Sequence, residues 1–314
     1  MILIIGGNGF IGNYLRNKFK QAYIFDKNIQ GLVQNFTQGD IRFINDLNKI
    51  PKNLNFECIY LLAAEHKDDV NPVSLYYDVN VNGTENVLSF AKERAIYKII
   101  FTSSVAVYGL NKNNPDENSI LDPFNHYGKS KLLAEDKLIT WCKSSQNHEL
   151  VVIRPTVVFG INNRGNVYNL FKQISTRKFI MIGDGENKKS MCYVENLVDF
   201  LYYFTQIKDY GVHIYNYADK PDLNTKDLVK IIYSILNIKQ NNLKITYKIA
   251  ILISYLFDFL AYLTNKKFPI SKIRIQKFCA TTQFNSNKVF ELNFTPKYTI
   301  FDGIKKTIET EFKN

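Results

Sequence analysis

Met1-Ile2-Leu3-Ile4-Ile5-Gly6-Gly7-Asn8-Gly9-Phe10-Ile11-Gly12 is the stretch that decides the fold. An unbroken apolar run leads straight into a glycine cluster. That reads as a buried parallel strand followed by a tight turn into a helix. Gly7, Gly9 and Gly12 satisfy G-x-G-x-x-G, and Gly6, Gly9 and Gly12 satisfy G-x-x-G-x-x-G. Without Cβ atoms the backbone approaches a pyrophosphate closely, and the anion then lies at a helix N-terminus. Glycines also cluster in purely structural turns, so the context matters. A second apolar run, Ala22-Tyr23-Ile24-Phe25, ends in Asp26, at the spacing expected of an acid that hydrogen-bonds a ribose 2′-hydroxyl. A carboxylate there repels a 2′-phosphate, so the expected cofactor is NAD rather than NADP.

Outward from this motif, the chain alternates strand-like and helix-like stretches as far as residue 155. Strands are expected over Ile2–Ile5, Ala22–Phe25, Cys58–Leu62, Ile99–Thr102 and Leu150–Ile153, and helices over Asn80–Lys92 and Lys129–Cys142. This order gives an α/β fold, a Rossmann-like doubly wound parallel sheet. Residues 1–155 are expected to form the NAD-binding domain. Residues 156–314 would mainly form a smaller mixed α/β substrate domain, whose chain can cross back to complete the sheet. Its expected elements include strands Phe179–Ile182 and Val212–Tyr217 and helix Asn224–Leu236.

Composition narrows the function. The 314 residues are 46% hydrophobic and 22% charged, as in a folded soluble protein. Cys58, Cys142, Cys192 and Cys279 form no C-x-x-C pair, which argues for a reducing compartment and against a zinc site. With Met1 leading directly into the first strand, no signal peptide is expected. A net charge of +11 suits an anionic partner such as a phosphorylated substrate or a membrane surface, though drift in a Lys- and Asn-rich composition also produces it. No run of five Lys or Arg occurs, so no nucleic-acid role is expected. Ile249–Leu263 is almost wholly apolar but too short to span a bilayer, and lysines flank it. It reads either as a helix lying in a membrane interface or as a buried or lid helix.

A second constellation carries the chemistry. Thr102-Ser103-Ser104-Val105-Ala106-Val107-Tyr108-Gly109 is followed by Tyr127-Gly128-Lys129-Ser130-Lys131. Tyr127 and Lys131 fall on one helical face, a turn apart. A tyrosine with a pKa of ~10 is a poor base at neutral pH. A neighbouring ammonium favours the phenolate and brings the group toward general acid/base work. A serine hydroxyl at a strand end can hydrogen-bond the reacting oxygen. Y-x-x-x-K alone is weak, but in this order with the glycine loop, Asp26 and Ser104 it is strong. His66, Asp68 and Asp69 invite a metal reading, but no metal is expected because hydride chemistry needs none. A non-catalytic NAD-sensing or scaffold protein is the alternative from another class. The presence of Tyr127 and Lys131 counts against it.

In these motifs the chain resembles the extended short-chain dehydrogenase/reductase superfamily. Gly39-Asp40-Ile41 resembles its adenine-contacting segment, and Leu62-Ala63-Ala64 its segment after the fourth strand. Asn80-Val81-Asn82-Gly83-Thr84-Glu85-Asn86 matches a helix motif of its sugar-nucleotide branch, and Arg154-Pro155-Thr156 with Phe159-Gly160 resembles its segment beside the nicotinamide. The resemblance implies a catalytic set of Ser104, Tyr127 and Lys131. It also implies cofactor contacts from Gly6, Gly9, Phe10, Ile11, Gly12, Asp26, Asp40, Ile41, Ala63, Tyr127 and Lys131. The dehydratases of the superfamily carry Thr-Asp-Glu where this chain has Ser104-Val105-Ala106, so dehydration and decarboxylation are disfavoured. Oxidation or reduction at one carbon remains, or the reversible pair of the two, which is 4-epimerisation through a transient 4-keto sugar.

Longer stretches narrow the branch. Leu61–Val70, Val107–Lys112, Asp122–Lys131, Arg164–Leu170 and Lys277–Phe284 resemble the bacterial 4-epimerases of N-acetylglucosamine carried on undecaprenyl diphosphate. The implied partner is a polyprenyl-diphosphate-linked or UDP-linked N-acetylhexosamine, in O-antigen or surface polysaccharide assembly. The open alternatives are a UDP-GlcNAc 4-epimerase and a nucleotide-4-ketosugar reductase. Substrate contacts are expected from Ser104, Asn166, Val167, Lys189 and Arg274, with Thr282 leaving room for an N-acetyl group. Location is expected to be cytoplasmic, peripheral at the inner face of the inner membrane through Ile249–Leu263. Relatives often pair through a four-helix interface, so a homodimer is the expectation.

Overall fold

In the computed structural model the described residues are 1–29, 34–67, 70–110, 112–264 and 272–313, and of 258–263 and 273 only the backbone is described. In chain order come β1 (Ile2–Ile5), α1 (Phe10–Arg16), β2 (Ala22–Asp26), β3 (Phe36–Gln38), α2 (Ile44–Leu47), β4 (Cys58–Leu61), α3 (Ser74–Tyr77), α4 (Gly83–Glu93), β5 (Lys98–Thr102), α5 (His126–Lys143) and β6 (Glu149–Pro155). Then follow β7 (Val157–Phe159), α6 (Asn166–Ser175), β8 (Met181–Ile182), β9 (Lys188–Tyr193), α7 (Val194–Gln206), β10 (Gly211–Tyr217), β11 (Asp219–Asn224), α8 (Thr225–Leu236), β12 (Lys244–Ile245), α9 (Tyr247–Thr264), α10 (Lys272–Cys279) and α11 (Ile300–Phe312).

Seven strands form one sheet in the order β10-β6-β5-β4-β1-β2-β3, and every neighbouring pair is parallel. Strand periodicity sends alternate side chains to opposite faces. Ile2, Ile4, Ile24, Tyr60, Ile100 and Val151 pack on the side of α1 and α7, with Leu15, Leu197 and Leu201. Leu3, Ile5, Phe25, Ile59, Phe101 and Val152 pack on the side of α4 and α5, with Val87, Phe90, Ala134 and Leu138. Both faces are covered, which is why these strands read as unbroken apolar runs. A smaller sheet, β11-β9-β7, and the β12-β8 pair stand beyond the main sheet.

Two expected elements differ in the structure. Asn80–Lys92 is not one regular helix: a π-helical turn over Asp78–Asn82 feeds into α4. The side chain of Asn80 explains the change. It accepts from the Glu65 backbone N–H at 2.8 Å and donates to the Glu65 carbonyl at 3.0 Å and to Ser130 Oγ at 2.8 Å. Satisfying this buried amide ties the loop after β4 to α5. Phe179–Ile182 shortens to the two-residue β8, whose strand partner is the equally short β12.

Candidate active site

The sheet's carboxyl edge gathers the sequence motifs, as expected of an open α/β sheet. At the end of β1, Gly6 has φ +87°. A Cβ there would lie 2.5 Å from the Ala63 backbone nitrogen, so the turn passes directly against the loop after β4. Gly12 closes the other side. Its Cβ would meet the Gly6 oxygen at 2.4 Å and Gly7 Cα at 2.6 Å. Gly9 differs: it is exposed at the α1 N-cap, and a Cβ there would meet only the Gly6 oxygen, at 3.2 Å. The loop is packed on the inside and bare on the outside.

Asp26 ends β2 and is 7% exposed. Its carboxylate accepts from the backbone N–H of Asn8 and of Asn28, each at 2.9 Å. A carboxylate has about four acceptor positions, so this fixed geometry leaves acceptors for ribose hydroxyls. Asp40 is half-buried and held by Arg42, whose Nη2 lies 2.8 Å from Oδ2. Ile41 is buried against Gly83, where a Cβ would come within 2.6 Å of it. On the far side, Gly160 packs toward Phe10, and the Tyr14 hydroxyl donates to the Ile161 carbonyl at 3.0 Å. Ile11 is half-buried in the first turn of α1. At the end of β6 the Thr156 hydroxyl is buried without a hydrogen-bond partner. The bare glycine face, the prepared carboxylate and the orphaned hydroxyl together fit an extended dinucleotide.

Ser104 caps the 3-10 turn Val105–Tyr108, its Oγ accepting from the Ala106 N–H at 3.1 Å. Tyr127 and Lys131 lie in the first two turns of α5, which Asn125 caps. Tyr127 is half-buried, whereas Lys131 is only 2% exposed, its ammonium 4.2 Å from the centre of the Phe101 ring. Burial pulls the Lys131 pKa down to about 7, and the Glu135 carboxylate works against that fall. Unlike an exposed lysine, its charge therefore responds to neighbours near neutral pH.

The expected substrate contacts are more scattered. Asn166 is exposed at the start of α6, while the Val167 side chain is buried in the core. Val167 can therefore meet a ligand only through its backbone. The Lys189 ammonium donates to the carbonyls of Lys277, at 3.0 Å, and Ala280, at 2.6 Å. It caps the end of α10, the helix that carries the exposed Arg274, and keeps at most one N–H for phosphate. Thr282 bridges Lys189 along the edge of β9. Asp68 and Asp69 lie outside the described residues, and among the described residues no group of three His, Cys, Asp or Glu side chains could hold a metal.

Sequence comparison agrees with this geometry: residues 2–218 match the NAD dependent epimerase/dehydratase family. The chain belongs to that family, and NAD is its cofactor. It is 48% identical, over 99% of its length and 95% of the relative's, to the Escherichia coli O157:H7 N-acetyl-alpha-D-glucosaminyl-diphospho-ditrans,octacis-undecaprenol 4-epimerase. It is 27% identical to a UDP-glucose 4-epimerase of Vibrio cholerae, covering 98% of this chain and 94% of that one. In fold it is similar to the UDP-glucose 4-epimerase of Thermus thermophilus solved with NAD, with a TM-score of 0.76 and 18% identity. That match covers 100% of this chain and 99% of the other.

Proposed function

We propose that this family member is a 4-epimerase interconverting N-acetylglucosamine and N-acetylgalactosamine on undecaprenyl diphosphate. The carrying observation is the 48% identity to the Escherichia coli lipid-linked epimerase, nearly end to end, together with intact Ser104, Tyr127 and Lys131. Gly6, Gly9, Gly12, Phe10, Ile11, Asp26, Asp40, Ile41 and Ala63 are assigned to the cofactor. When bound, NAD supplies the hydride acceptor and donor for C4. Tyr127 takes the C4 hydroxyl proton and later returns it. Lys131 binds the nicotinamide ribose and holds the Tyr127 pKa down by its charge. Ser104 hydrogen-bonds the C4 oxygen and orients it. Val105 and Ala106 carry no proton-moving group, so the 4-keto sugar is left with one exit, reduction at C4.

Offered undecaprenyl-diphosphate-GlcNAc and UDP-GlcNAc in parallel, the purified protein is expected to turn over the lipid-linked sugar with no net change in absorbance at 340 nm. Turnover of UDP-GlcNAc alone would defeat the lipid-linked assignment. Net oxidation of added NADH would point to a ketosugar reductase instead.

The substrate's lipid makes the surface of α9 relevant. Ile249, Leu252, Ile253 and Leu256 repeat at i, i+3, i+4 and i+7, yet they are 50%, 71%, 37% and 59% exposed. The inward side holds Ala250 and Ser254, both buried. The amphipathic pattern is thus turned outward, where each side chain forgoes part of the about 1.5–3 kcal/mol that full burial would give. Lys248 is exposed beside the stripe, and the Lys272 ammonium donates to the exposed Tyr255 hydroxyl at 2.8 Å. Among the described residues no helix is long and apolar enough to cross a membrane. We assign this face to the interface of an anionic bilayer. Replacing Ile249, Leu252 and Leu256 with serine should weaken flotation with anionic vesicles by roughly 10²-fold. It should leave the thermal midpoint near that of the parent. Unchanged flotation would remove α9 from the membrane.

A further inference from the structure

A buried polar chain runs beneath the catalytic residues. Glu135 lies on α5 one turn beyond Lys131 and is 1% exposed. Arg154 holds it from β6 through a two-pronged contact, Nε to Oε1 at 3.0 Å and Nη2 to Oε2 at 2.6 Å. The Ser103 hydroxyl donates to the same carboxylate. From Arg154 the chain continues: Nη1 donates to the Tyr108 oxygen at 2.7 Å, and the Tyr108 hydroxyl donates to Asn216 Oδ1 at 2.8 Å. Asn216 donates in turn to the Asn285 carbonyl at 2.9 Å. Buried ion pairs seldom repay their desolvation, so stability is a weak reason for this one.

The setting of Lys131 supplies a better reason. On α5 it has Tyr127 one turn before it and Glu135 one turn after. The Phe101 ring and Ser103 belong to β5 and its end, Arg154 to β6, and Tyr108 to the turn after β5. Glu65, from the loop after β4, is turned onto its own backbone and accepts from the His66 and Lys67 N–H groups. Glu135 is therefore the carboxylate placed to favour the Lys131 ammonium against its burial. The grip of Arg154 and Ser103 fixes where that carboxylate points. Burial holds the Tyr108 phenol above its ordinary pKa, so it acts as a neutral relay.

We propose that Glu135 is a positioning residue that keeps Lys131 charged, with Arg154 and Ser103 holding the carboxylate in place. The proposal rests on the assignment of Tyr127 and Lys131 above. It is tested by titrating lysine labelled with carbon-13 at Cε in the full-length protein, the Lys131 signal being identified by its loss in Lys131→Met. Glu135→Gln should lower the Lys131 midpoint by about one pH unit or more. The alkaline limb of the turnover profile should move the same way. The double variant Glu135→Gln, Arg154→Gln removes both buried charges, so it serves if the single variant does not fold. It should lower the midpoint by a smaller amount, because the removed carboxylate is the nearer charge. Tyr108→Phe keeps both charges and should leave the midpoint in place. Midpoints unchanged in both Glu135 variants, or shifted as far by Tyr108→Phe, overturn the proposal. A lowered midpoint in Glu135→Gln alongside a fully active Tyr127→Phe would uphold Glu135 and reject only the acid/base reading.

Discussion

Tyr127→Phe should lower epimerase turnover roughly 10³-fold while leaving NAD affinity within about threefold. The phenol is the only proton carrier among the three assigned catalytic side chains whose ordinary pKa a neighbouring ammonium can bring toward neutral. Serine stays protonated, and Lys131, buried beside Phe101, is itself the ammonium that acts on the phenol. The ring of phenylalanine fills the same half-buried place on α5, so folding and cofactor contact should persist. Turnover is followed by chromatography of the released sugars, and NAD binding by quenching of protein fluorescence. A fully active variant would overturn the mechanism.

The second large effect comes from Gly12→Ala. The added methyl would lie 2.4 Å from the Gly6 oxygen and 2.6 Å from Gly7 Cα, both backbone atoms with no rotamer to yield. Either α1 or the turn must shift. The expected cost is about 2–4 kcal/mol of folding stability, with NAD affinity falling roughly 10²-fold or more. Gly9→Ala is the informative companion. Its methyl meets only the Gly6 oxygen, at 3.2 Å, and otherwise faces outward. Stability should therefore change little while NAD binding still suffers. Denaturant midpoints and NAD titrations on both variants separate inner packing from the outer face. Undiminished NAD binding in Gly9→Ala would mean that the dinucleotide lies elsewhere.

The glycine loop, Asp26 and the Tyr127–Lys131 pair were legible because each depends on local geometry: a turn, a strand end, one helical face. β3 was not legible. Phe36-Thr37-Gln38 is short and partly exposed, and it is a strand only because β2 lies beside it. Lys189 was legible as a cation but not as a helix cap, because the carbonyls it holds come from about ninety residues away. The Glu135–Arg154 pair leaves one trace in the sequence. Arg154 interrupts the apolar run Leu150–Ile153, and a charge in a buried strand demands a partner. Identifying that partner required the fold. Thr299 and Asp302 likewise form a capping box at the start of α11, a signal local to four residues.

The pairing of β10 with β6 bears on how the chain is made. Strand β6 carries Arg154 and leads into Thr156, yet its outer neighbour is synthesised only after the stretch from Thr156 to Tyr210. At about 5–20 residues per second, β6 waits several seconds on the ribosome with an unpaired edge. A nascent chain that has just passed Lys131 already holds every catalytic side chain. Its main sheet is complete only when Gly211–Tyr217 arrives.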